Sequence, residues 1–279
     1  MSQDPLYNEK NLFYRGDYKA VIAEQEKPGI APLVLRAQIE LDPTAALQQL
    51  KTSKDAHSKA CAALCHAKLG HSQEAEKGVD GLLTSTEPHV QVVVATVLAR
   101  LERYEEALDV LGSLDENIEA SALQIHIHLA LDQLSQAEGV LKNTQQWCND
   151  EELVQLAEAW IMMRQGGDRL NAASYTFEEL AEMSPSAVRM QVAKAAAALA
   201  SGDTDDALAQ MKRALQRDTK QADALANRVV LAAIQGEDRT EAKAALKDAD
   251  ANHPLLKDLE EKEALFGQLA GQYTFVEAV

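Results

Sequence analysis

Cys61 and Cys65 stand four residues apart with His66 directly behind them. On a helix that spacing brings both thiols to one face, which is half of a metal site. A zinc ion takes four protein ligands, or three and a water, and no second pair supports this one. The two cysteines are therefore expected as buried, inert side chains. His126 and His128 are two apart on an expected helix and point away from each other. The acidic groups Asp115-Glu116, Asp203 with Asp205-Asp206, and Glu260-Glu261 with Glu263 read as turns and solvated faces. Paired catalytic carboxylates need a pocket that drives their pKa values apart, and nothing in the sequence suggests one. Gly166-Gly167 follows no strand, so it reads as a helix-to-helix turn and not as a phosphate loop. No Ser-His-Asp or Cys-His nucleophile context is present. These residues predict no enzyme, no metal and no cofactor.

The composition says what kind of scaffold carries such residues. Of 279 residues 46% are apolar but only 4% aromatic, with 13 Gly and 7 Pro. A chain rich in Ala and Leu and poor in strand formers favours long helices joined by short turns. Acidic residues outnumber basic ones 44 to 27, for a formal charge of −17. Nucleic acid and anionic lipid need clustered cations, so neither is an expected ligand. The polar N-terminus has no signal-peptide pattern. The longest apolar run, Val90 to Ala99, contains Gln91 and Thr96 and is about half a membrane span. Three cysteines suggest no disulfide framework. The chain reads as cytosolic, reaching a membrane only through an assembled partner.

The elements follow a repeat. A small residue recurs at Ala75, Ala107, Ala137, Ala173, Ala207 and Ala242, in steps of 32, 30, 36, 34 and 35. That is the tetratricopeptide period of about 34. The clearest unit is SGDTDDALAQMKRAL, where Gly202 precedes Ala207 by five. A first unit centres near Val21, and a compressed one, DPTAALQQL, near Ala46. Each anchoring Ala sits where two helices cross closely, because a larger side chain would push them apart. The Gly lets the chain leave the first helix in a left-handed conformation. Tyr18, Tyr104, Leu134 and Leu170 plug the gaps between hairpins. Pro185 and Pro254 end second helices. About eight hairpins are expected, forming an all-α, right-handed superhelix over residues 1–254. Residues 255–279 are expected to add a capping helix and tail of the same domain, with Leu255, Leu256, Leu259, Leu265, Phe266 and Leu269 as its apolar stripe.

Three segments carry a more specific resemblance. They are NLFYRGDYKAVI from Asn11, ELVQLAEAWIMMRQGGDRLNAASYTFEELAE from Glu152, and NHPLLKDLEEKEALFGQLAGQY from Asn252. In this order they resemble the epsilon subunits of coatomer, the COPI vesicle coat. The resemblance implies a non-catalytic subunit on the cytosolic face of Golgi membranes and COPI vesicles, serving Golgi-to-endoplasmic-reticulum retrieval and intra-Golgi traffic. It implies pairing with the C-terminal domain of the alpha subunit, contact with other coat subunits through it, and a membrane role only through the assembled coat. The alternative in a different class is a tetratricopeptide co-chaperone that clamps a peptide carboxylate.

In such repeats the first helix of each pair lines the concave face. Counting back from the anchoring alanines selects Val92 and Thr96 on one first helix, and Glu119, Ala122, His126 and Leu129 on the next. Glu158 and Met162 follow, then Arg189, Val192 and Ala196, and finally Asn227. This mostly small or apolar set suits an extended protein segment.

Overall fold

The computed structural model describes residues 4–273. Residues 1–3 and the end of the expected capping segment, 274–279, lie outside the described residues. Among the described residues the chain forms seventeen helices and no strand. They pair into eight hairpins. The first is α1 (Tyr7–Arg15) with α2 (Tyr18–Ala23), the second α3 (Ala31–Leu41) with α4 (Pro43–Leu50), and the third α5 (Ala56–Lys68) with α6 (Ser72–Asp80). There follow α7 (Pro88–Arg100) with α8 (Tyr104–Leu111), α9 (Ile118–Ala130) with α10 (Leu134–Trp147), and α11 (Glu152–Gln165) with α12 (Arg169–Met183). The last two are α13 (Val188–Ser201) with α14 (Thr204–Arg217), and α15 (Ala222–Gln235) with α16 (Thr240–Ala249). The closing helix is α17 (Pro254–Ala270). The whole is a right-handed superhelix of tetratricopeptide type.

Local chemistry sets the turns. Asp17, Asp55, Asn117 and Asp203 each accept a backbone N–H of the following helix, satisfying donors that the helix itself cannot. The compressed second unit has a specific cause. Asp42 ends α3 in an extended conformation and caps α4 at once, with Pro43 in the first turn, so one residue makes the whole connection. Gly202 takes φ 84° between α13 and α14, as the sequence predicts. The units around Tyr104 and Leu134 lack that glycine, and there Glu102 and Asp132 adopt φ 61° and 60° instead.

The core runs as a continuous strip between hairpins. Ala75, Ala107, Ala137, Ala173 and Ala207 are fully buried, as are Val21 and Ala46 in the first two units. Ala242 differs from expectation: it is half-buried, because the last hairpin has only part of a helix packed over it. That helix, α17, covers less than expected. Leu255, Leu256 and Leu259 pack on Leu225, Val229 and Leu246, but Leu265, Phe266 and Leu269 are 54%, 74% and 45% exposed. The cap is its first two turns.

The curvature follows from which helices meet. Each first helix packs against the first helix of the next hairpin in all but the α11-to-α13 step, whereas second helices scarcely touch one another. First helices therefore line the inside of the bend. The bend is tight enough that α1 reaches α11, five hairpins onward, so the superhelix closes on its own N-terminus.

Candidate protein-binding site

The closure is made by polar contacts between residues far apart in sequence. The Tyr14 hydroxyl donates to Glu119 Oε1 at 2.8 Å, and Arg36 Nη1 donates to Glu119 Oε2 at 2.8 Å. The same guanidinium lies over the Phe13 ring, 4.7 Å from its centroid. Burial alone would raise the Glu119 carboxyl. The charge of Arg36 and the hydrogen bonds from Tyr14 and Arg36 outweigh that and hold it below the ordinary carboxylate range. Arg15 Nε stands 3.5 Å from Glu152. Asp17 accepts from the Ser186 hydroxyl, and Arg189 Nη1 donates to the Tyr18 hydroxyl at 2.6 Å. At Gly16 the backbone passes so close that a Cβ would stand 3.0 Å from Arg189 Cβ. Its φ of 89° is also one that favours glycine. Helices α1 and α2, with Arg36 from α3, are thus latched to the N-terminal ends of α9, α11 and α13.

This latch sorts the inward positions read from the repeat. Glu119 and Arg189 are already engaged by the N-terminal hairpin. Val92, Ala122 and Val192 are 4%, 7% and 6% exposed, so their side chains pack against neighbouring helices and present little surface. Thr96 is half-buried and donates its hydroxyl to the Val92 carbonyl of its own helix. His126 is exposed, its ring edge-on to Trp160 at 6.0 Å. Leu129 and Met162 sit half-buried at the margin of the core. Glu158 accepts from Gln145 Nε2 at 3.3 Å, and Ala196 and Asn227 are half-buried. Arg100, four residues beyond Thr96 on the same helix, is exposed. On apolar α7 the polar residues His89, Thr96 and Arg100 recur at helical spacing.

Sequence comparison places this architecture. A family model described as the coatomer epsilon subunit matches residues 2–274. The chain belongs to the coatomer epsilon subunit family. Its relatives are spread widely. The chain is 26% identical over 269 residues to coatomer subunit epsilon-1 of Oryza sativa subsp. japonica, covering 92% of this chain and 93% of the relative. It is 26% identical over 251 residues to coatomer subunit epsilon of Dictyostelium discoideum, covering 81% and 83%. Among solved structures, a tetratricopeptide repeat protein from Parabacteroides merdae aligns with a TM-score of 0.59 at 17% identity, over 90% of this chain and 96% of that one. The Cut9 and Hcn1 hetero-tetramer aligns at 0.61 and 12% identity, over 91% and 54%. These structures attest the fold alone.

An epsilon-family chain is a coat component and not an enzyme, and its side chains fit that status. Cys61 Sγ lies 3.5 Å from His57 Nε2, but burial pushes its thiol up to about 12 and that of Cys65 up to about 11. Both stay protonated and unreactive at neutral pH. Among the described residues no three His, Cys, Asp or Glu side chains are grouped to hold a metal ion. No helix among them is long and apolar enough to cross a membrane. A cleft of about 320 Å³ opens between α12, α13 and α14. The Lys194–Glu178 ion pair at 2.6 Å occupies its wall, and no nucleophile and base meet there.

Proposed function

We propose that this epsilon-family chain is a structural component of the COPI coat that binds and stabilises the C-terminal domain of the alpha subunit. It would do so on the cytosolic face of Golgi membranes, in retrograde Golgi-to-endoplasmic-reticulum and intra-Golgi transport. The observation that carries this reading is the latched superhelix. A solenoid closed on itself offers a bounded inner face, suited to an extended segment of a partner and not to a small substrate. The open inner positions are His126, Met162, Ala196 and their neighbours, which mix small, apolar and polar character. Further contacts with other coat subunits would then run through alpha. The one-domain organisation, with residues 255–279 as an appendage of the 1–254 solenoid, fits a protein that presents a single inner surface.

The test is titration of the full chain with the C-terminal domain of the alpha subunit, followed by calorimetry. The double variant His126→Trp/Ala196→Trp places neutral bulk on the inner face. It is expected to weaken binding by about tenfold or more while its circular dichroism stays that of the parent. Undiminished affinity would mean that the partner uses another surface.

A further inference from the structure

The cleft of about 320 Å³ between α12, α13 and α14 is within the size range of ligand pockets, about 300–1,000 Å³. It opens away from the inner face. Helices α12 and α14 are second helices, which stand outside the bend. Gln191 and Lys194, which α13 contributes to the cleft, lie about half a turn around that helix from the inward Arg189 and Ala196. An occupant of this cleft leaves the inner face free.

Its walls carry opposite charge. Glu178 and Glu182 line the α12 side, and Arg213 and Arg217 line the α14 side. In each pair the residues are four apart, so they stand one above the other on one helix face. Glu178 is committed to Lys194, at 2.6 Å. The other three are exposed, and among the described residues no side chain pairs with them. The two arginines stay unpaired although the chain carries 17 more carboxylates than cations. Two amides lie between the walls. Gln210 is 4% exposed and gives its amide nitrogen to Asp206 Oδ1 at 2.9 Å. Gln191 Oε1 is buried with no hydrogen-bond partner, which costs free energy until a donor arrives. A phosphate brings no N–H donor and would face Glu182. An extended peptide brings backbone N–H groups and side chains that alternate between its two sides. Residues two apart along it advance about 6.6–6.8 Å, close to the roughly 5–6 Å between Cβ atoms four apart on a helix, such as those of Arg213 and Arg217.

We propose that this outer cleft is a second protein-binding site, which takes an extended partner segment of alternating charge: acidic, basic, acidic. The two carboxylates pair with Arg213 and Arg217, the basic side chain between them pairs with Glu182, and backbone N–H groups donate to the Gln191 and Gln210 amide oxygens. The alternation supplies the selection. A uniformly acidic segment meets Glu182 and a uniformly basic one meets two arginines, and each such meeting of like charges is repelled. The site goes beyond the inner-face reading and holds independently of it.

The experiment titrates the full chain, followed by nuclear magnetic resonance at about 0.15 M salt, near physiological ionic strength. The probes are blocked peptides: acetyl-Gly-Glu-Lys-Glu-Gly-amide and its reordered form, acetyl-Gly-Glu-Glu-Lys-Gly-amide. The alternating peptide is expected to bind the parent about threefold tighter than the reordered one, the worth of one exposed ion pair. Arg213→Gln/Arg217→Gln removes two such pairs and should weaken it about tenfold. Glu182→Gln should erase the preference for the alternating peptide over acetyl-Gly-Glu-Ala-Glu-Gly-amide. The three side chains are exposed and unpaired, so both variants should melt with the parent. His126→Trp/Ala196→Trp, altered on the inner face, should bind the peptide as the parent does. The proposal is overturned if the alternating peptide does not bind, binds no better than the reordered one, or binds Arg213→Gln/Arg217→Gln with parental affinity. Full displacement by an equal concentration of inorganic phosphate also overturns it, since the cleft would then be an anion site only.

Discussion

Glu102 and Asp132 hold the left-handed conformation that Gly202 and Gly16 hold in other units. For a residue with a Cβ this costs about 1–2 kcal/mol. Part of that would be lost again on substituting glycine, which gains freedom in the unfolded chain. Glu102→Gly is therefore expected to raise unfolding free energy by about 0.5–1 kcal/mol, read from urea melts. Asp132 is ion-paired with Arg164, so the equivalent change there should gain less. A drop in stability at Glu102→Gly would mean that its side chain makes up for the strain. Single residues were legible in the sequence where one physical demand fixed them. Only a small side chain fits a close helix crossing, and five of the six repeat alanines are fully buried. Inner-face positions were less legible. An error of one residue turns a helix by about 100°, so a count from the alanines fixes a face less sharply than it fixes a crossing: Val92, in the counted set, is only 4% exposed.

At the scale of elements, α17 has two halves with different roles. Leu255, Leu256 and Leu259 cover the open end of the last hairpin, whereas the turns carrying Leu265, Phe266 and Leu269 touch little of the solenoid. A chain ending after Leu259 is expected to melt within a few degrees of the parent. A chain ending at His253 should bare the Leu225–Val229–Leu246 cluster, melt lower and aggregate on gel filtration. Equal stability of the two truncations would show that the first turns are not the cap. The helix was visible in the sequence from its stripe of leucines. Its division into halves was not, because the pattern reports that a face is apolar and not whether anything lies against it. The compressed second unit was likewise visible as a shortened repeat. Its cause, Asp42 closing one helix while capping the next, needed the backbone angles.

The whole molecule is held closed by contacts that no local pattern announces. Tyr14, Arg36 and Glu119 come from the first, second and fifth hairpins, and only the accumulated bend brings them together. In a solenoid most stability comes from neighbouring repeats, so a closing contact acts on the N-terminal hairpins and on the shape more than on the sum of the parts. The Arg36 and Glu119 side chains are 18% and 17% exposed. Removing one partner leaves a largely buried charge without its counter-ion, at a cost of about 3 kcal/mol. Glu119→Gln is expected to show that loss in urea unfolding. It should also speed amide exchange in α1 and α2, while α13 to α16 keep their protection. Small-angle scattering should report a larger radius as the latch opens. The paired change Arg36→Met/Glu119→Leu removes both charges and should recover much of the lost stability, since apolar replacement of a buried ion pair is often neutral. If Glu119→Gln left both stability and N-terminal exchange at parental values, closure would rest on the helix packing alone, and the Tyr14–Glu119–Arg36 contact would be incidental to it.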